Sequence, residues 1–85
     1  MNHVTLADLR DLLVRGGGIP KSLRIDDPST RLTDLGLDSA VLLALQVEIE
    51  RTYDITLVPD DLLEFETVGS SVALINTKIA QRATA

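Results

Sequence analysis

Few residues in this chain have types and spacing that bear on chemistry: Asp38-Ser39 within Leu35-Gly36-Leu37-Asp38-Ser39, the apolar run that follows, and a single imidazole at His3. An aspartate and a serine ahead of an apolar helix form a common capping arrangement, in which the carboxylate accepts a free N–H of the first turn. The serine hydroxyl is then left outside and reachable. It is a poor fit to a hydrolase nucleophile, because Gly36-Leu37-Asp38-Ser39-Ala40 lacks the second glycine of a nucleophile elbow and His3 is badly placed to act as its base. There is no cysteine, which removes disulfides, thiolate nucleophiles and sulfur metal sites together. The expectation is a chain that is not an enzyme and holds no metal.

The elements that must position Ser39 follow from periodicity. Thr5 and Asp8 read as a capping box with aspartate in place of glutamate, and Leu6, Leu9 and Leu13 fall on one stripe until Gly16-Gly17-Gly18 ends a helix of about 5–15. From there to Leu37 the sequence has two prolines and no period, too long for a structureless loop unless pinned. Ile19, Leu23, Ile25, Leu32, Leu35 and Leu37 are its candidate pins, with a short helical turn somewhere among them. Asp38 then caps a second helix from Ser39 to about Tyr53. Leu42, Leu45, Ile49 and Tyr53 form its core stripe, while Ala40, Leu43, Ala44 and Val47 form a second apolar stripe on the Ser39 side.

Ile55 to Val58 is too isolated to be a strand and reads as an extended linker anchored by Leu57. Pro59, followed by Asp60 and Asp61, opens a short third helix with Leu62, Leu63 and Phe65 facing inward. Thr67 caps a fourth, carrying Val68, Val72, Ile75 and Ile79. The spacing predicts a single all-α domain over 1–85, its core about 5–82, built from Leu9, Leu13, Leu35, Leu42, Leu45, Ile49, Phe65, Val72, Ile75 and Ile79, with His3 at a mobile terminus.

Charge and size narrow the function. The net charge is −5, distributed as +1 over 1–33, −8 over 34–66 and +2 over 67–85. An acidic centre repels nucleic acid and suits a partner with a basic rim. A chain of 85 residues buries about 60 to 65% of its unfolded surface, too little to enclose a large active site. The longest apolar run, Ala40 to Leu45, is far short of a membrane span, and the start lacks a signal-peptide pattern, so a cytoplasmic monomer that avoids membranes is expected.

Leu35-Gly36-Leu37-Asp38-Ser39, the apolar helix after it, Pro59-Asp60-Asp61 and Thr67-Val68 together resemble an acyl carrier protein or the carrier domain of a polyketide synthase, over roughly residues 5–82. The resemblance implies a four-helix bundle of that type, with a long first loop and a short third helix. It implies that Ser39 bears a covalent 4′-phosphopantetheine arm, with Asp38 beside it and acyl or similar cargo held as a thioester. A helix start, with its free N–H groups and partial positive charge, suits a phosphodiester on such a serine. The implied partners are a phosphopantetheinyl transferase, an acyl-loading ligase or acyltransferase, and a downstream synthase or transferase.

The partner face implied by the resemblance comprises Asp34, Ala40, Leu43, Ala44, Val47 and Glu50, with Leu43 and Val47 dominant. Where the family usually has Leu, Met or Ile after the serine this chain has Ala40, and where fatty-acid carriers place several acids on helix two it has Leu43, Ala44, Val47, Glu50 and Arg51. These departures point to a discrete carrier of a polyketide or related specialised pathway. A non-enzymatic helical adaptor is the alternative, since it would show the same apolar patch without needing an unblocked hydroxyl.

Overall fold

The computed structural model describes residues 3–16 and 19–84. Among the described residues, three α-helices, α1 (Leu6–Arg15), α2 (Ser39–Tyr53) and α3 (Val68–Thr84), are joined by segments containing two short 3-10 helices, Leu32–Leu35 and Pro59–Glu64. The second of these is the short third helix of the sequence reading, in a tighter winding. Among the described residues there is no strand, only one isolated antiparallel bridge between Arg31 and Thr67.

Each α-helix begins where a side chain can take over its first N–H groups. The Thr5 hydroxyl accepts the Asp8 N–H while Asp8 Oδ2 accepts the Thr5 N–H, which closes the capping box. Thr67 and Ser70 make the same exchange at the start of α3, with serine in the place of an acid. At its far end α2 stops on Asp54, whose φ of 55° is left-handed and reverses the chain; aspartate tolerates this conformation better than most residues. The glycine stop of α1 is seen at Gly16, whose N–H donates to the Leu12 carbonyl; Gly17 and Gly18 lie outside the described residues.

The long first connection is pinned by Ile19, Ile25, Leu32 and Leu37, all buried, with Leu23 and Leu35 partly so. It is also stitched through its backbone. The Arg10 guanidinium donates to the carbonyls of Leu23 and Lys21. Residues 28–32 are clipped to the start of α3 by hydrogen bonds from Leu32 N–H to Glu66, from Val68 N–H to Thr30 and from Gly69 N–H to Pro28. Gly36 carries the αL turn, φ 78°, that ends the first 3-10 helix just ahead of Asp38.

One core joins these parts. Leu9, Leu13, Leu45, Ile49, Phe65, Ile75 and Ile79 are buried as expected, whereas Leu35, Leu42 and Val72 are only partly covered. The core is wider than the periodic stripes. Val4 is buried because Asn76 on α3 grips its backbone from both sides, Oδ1 accepting the Val4 N–H at 2.7 Å and Nδ2 donating to the Val4 carbonyl at 3.0 Å. Leu12, Ile55, Leu57, Val68 and the hydroxyl-bearing Ser71 complete it; the Ser71 hydroxyl donates to the Thr67 carbonyl. Tyr53, expected in the core, is half-buried at its edge, and burial followed by the nearby Asp8 carboxylate pushes its phenol up.

The Pro59–Glu64 segment departs from the inward packing expected for its leucines. In a 3-10 helix residues three apart eclipse one another, so Leu62 and Phe65 share a side and Leu63 turns away. Phe65 is buried, Leu62 is 36% exposed and Leu63 is 78% exposed. Asp61 fixes the segment, Oδ2 accepting the Val58 N–H at 2.8 Å and pairing with the Lys78 ammonium of α3 at 2.9 Å.

Candidate functional site

Ser39 is the first residue of α2 and is exposed. Asp38 before it is extended, and its Oδ1 accepts the Val41 N–H at 2.9 Å. The first helical bond runs from Leu42 N–H to the Asp38 carbonyl. Helix geometry leaves the N–H groups of Ser39 and Ala40 without intrahelical acceptors, so the hydroxyl stands at the positive end of the helix with the carboxylate drawn aside into the cap. Asp34 lies exposed in the 3-10 helix immediately upstream.

Beside Ser39 runs a groove of about 280 Å³, lined by Ser39, Leu42, Leu43, Gln46, Leu62 and Phe65. One wall is α2 and the other the Pro59–Glu64 segment with the residue after it. On the outer surface of α2, Leu43 is 58% and Val47 57% exposed, and Ala40 and Ala44 on the same stripe are exposed too. The second apolar stripe is therefore uncovered along its length. Glu50 is half-buried, and one of its oxygens accepts the Leu57 N–H at 2.9 Å, tying it to the linker behind α2. Leu43 thus stands with Ser39 at the groove, while Asp34 and Asp38 flank the helix start.

Residues 18–75 match the family model described as the phosphopantetheine attachment site. The chain is 32% identical over 80 residues to the anthracycline acyl carrier protein DauA of Streptomyces sp. (strain C5), covering 93% of this chain and 95% of that one. It is equally similar, over the same shares, to the anthracycline acyl carrier protein DpsG of Streptomyces peucetius. The chain belongs to the acyl carrier protein family. Its fold agrees: the solution structure of butyryl-ACP from the actinorhodin polyketide synthase of Streptomyces coelicolor superposes with a TM-score of 0.77 at 28% identity, over 95% of this chain and 98% of that one.

As a member of that family the carrier is not an enzyme. It works with a covalently attached 4′-phosphopantetheine and meets a phosphopantetheinyl transferase and synthase partners. The cofactor supplies a thiol that holds acyl cargo as a thioester. The residues present fit it. An exposed hydroxyl at a helix start suits the phosphodiester, and a mostly apolar groove adjoins it; Gln46, one of the residues lining that groove, has a buried Oε1 with no hydrogen-bond partner among the described residues. With the arm held at Ser39, the chain would contribute an anchor point, electrostatic accommodation of the phosphate, and an apolar surface next to it.

Leu62, Phe65 and Gln46 were not singled out by sequence reasoning as site residues. The eclipsing of Leu62 and Phe65 at a spacing of three, and the place of Gln46 two turns after Ser39, are the signals that point to them.

Proposed function

We propose that Ser39 carries the 4′-phosphopantetheine arm and that the protein is a discrete carrier in polyketide assembly. The observation that carries the attachment site is the exposed Ser39 hydroxyl at the first position of α2, inside the matched region and beside the groove. The pathway reading is supported by relatives named for anthracycline biosynthesis and by a similar fold from the actinorhodin polyketide synthase. Under it, the cargo is a polyketide intermediate, received from an acyl-loading ligase or acyltransferase and passed to a synthase or transferase in the cytoplasm. Among the described residues no helix is long and apolar enough to cross a membrane.

Partner enzymes dock on α2. Leu43 and Val47 provide the apolar contact, Ala40 and Ala44 let a partner approach closely, and Asp34 and Asp38 steer from the rim. Glu50, held to Leu57, adds charge at the far edge.

Incubation with coenzyme A and a broad-specificity phosphopantetheinyl transferase tests the attachment site. The intact mass of the wild type rises by one phosphopantetheinyl group, and that of Ser39→Ala, which keeps the fold, does not. An unchanged wild-type mass beside modified control carriers would sink the assignment and favour an adaptor that binds through the α2 face alone.

A further inference from the structure

Residues 34–66 hold nine acids and one base, and the base, Arg51, stands on the exposed stripe of α2. Arg51 follows Ala40, Ala44 and Val47 by eleven, seven and four positions, spacings that keep all four on one face of a helix. Its side chain is 74% exposed. The two acids of α2 do not stand out beside it: the Glu48 side chain is 22% exposed, and Glu50 is held by the Leu57 N–H. Glu48 Oε1 accepts a hydrogen bond from Arg51 Nη2, which engages one of the five N–H donors of a guanidinium. An exposed pair of this kind contributes little. It leaves the planar group open to side-on contact with a further carboxylate.

The face that docks partners is therefore bipolar. Asp34 and Asp38 are exposed at the Ser39 end, Leu43 and Val47 in the middle, and the guanidinium at the far end. Arg51 lies twelve positions from Ser39, which along the helix is roughly 18 Å. A surface that is basic throughout would be drawn in by the acidic centre of the chain and then meet a cation at close range, where like charges repel most. We infer that Arg51 selects among partner enzymes: it pairs with a carboxylate that the fitting partner places roughly 18 Å from the point receiving Ser39, and it turns away enzymes whose contact surface is basic along its whole length. The inference rests on docking at α2.

The test measures dissociation constants of the protein bearing its arm, with intact mass verifying each sample. Two probes are used: the actinorhodin polyketide synthase freed of its own carrier, and a bacterial fatty-acid condensing enzyme chosen for a basic contact surface. Arg51→Glu is expected to bind the first about tenfold more weakly and the second about tenfold more tightly, since one exposed charge contact carries up to about fivefold and the substitution reverses its sign. Arg51→Lys keeps the order of preference. Loss of the Glu48 pair, or of helix stability, would move both constants the same way, so opposite signs mark selection. Constants that stay unchanged or move together would overturn the inference. Leu43→Asp is measured alongside. If it weakens binding while Arg51→Glu does not, the inference fails alone; if it is silent, or the wild type does not bind the polyketide synthase, docking at α2 fails and the inference with it.

Discussion

The N–H of Gly69 donates to the carbonyl of Pro28 at 2.7 Å, and a β-carbon at position 69 would lie 2.8 Å from both that oxygen and the Pro28 Cβ. The contact brings the first turn of α3 against the loop that leads through Leu32 and Leu37 to Ser39. A glycine in a helix ordinarily weakens it; here it lets the clip close.

Gly69→Ala is therefore expected to destabilise, against the trend of helix propensity. The alanine would gain about 1 kcal/mol within the helix. It must also push a proline ring and a backbone carbonyl aside, with a typical overpacking cost of about 1 to 3 kcal/mol, and loosen the three hydrogen bonds of the clip. A net loss of about 1 to 2 kcal/mol should lower the urea midpoint. An unchanged or higher midpoint would mean that the loop yields freely.

Leu45 and Leu63 offer a paired test of burial. Leu45 is 1% exposed, so Leu45→Ala should cost about 2 to 5 kcal/mol, a large part of the stability of a small domain. Leu63→Ala, at a side chain that points into solvent, should stay within about 0.5 kcal/mol. Similar losses in the two variants, read from thermal or urea unfolding, would show that the 59–64 segment packs differently.

Acid should weaken the attachment of the 59–64 segment. The Val58 N–H, then the Lys78 side chain, hold the Asp61 carboxyl below its ordinary value of 3.8. A native value below the unfolded one means that the stabilisation is complete above the ordinary value and fades as pH falls through the depressed one. Asp61→Asn should be less stable than wild type near about pH 7, and the gap should narrow as pH falls through the depressed value, below which both carry an uncharged side chain. Urea midpoints at several pH values measure it; a gap that widens in acid would contradict the direction.

Docking on α2 should be apolar at its centre. Burying a leucine or valine side chain contributes about 1.5 to 3 kcal/mol, an exposed charge pair about 0 to 1, and salt screens the latter over about 8 Å. Leu43→Asp should weaken binding to a partner synthase at least tenfold without unfolding the protein. Raising salt should slow association and leave most of the affinity. Near-total loss of binding in salt, with Leu43→Asp almost silent, would make the interface an electrostatic one.

The helices and their caps were legible because each has a local cause: Thr5 and Asp8, Asp38 with its apolar run, Pro59, and Thr67. Ser39 was legible for the same reason, its motif and its helix start being contiguous. What was hidden depends on partners far away in sequence. Asn76 gives no hint that it grips Val4, and Gly69 looks like a flaw until Pro28 is placed against it. The inward reading of Leu63 failed because a 3.6-residue period was assumed where the chain winds at three. Gln46 passes in sequence for an ordinary surface glutamine, since only the opposing wall of Leu62 and Phe65 makes it part of a groove.

Ser39 and Val47 lie on one uninterrupted helix, capped by Asp38 and closed at Asp54. Val47 follows Ser39 by eight positions, which at about 1.5 Å per residue is roughly 12 Å. Under the proposed assignment α2 acts as a fixed ruler. Every enzyme that serves this carrier must space its tunnel mouth and its hydrophobic seat by that length, whatever reaction lies inside, and partners of unrelated fold would be recognisable to one another by this shared interval.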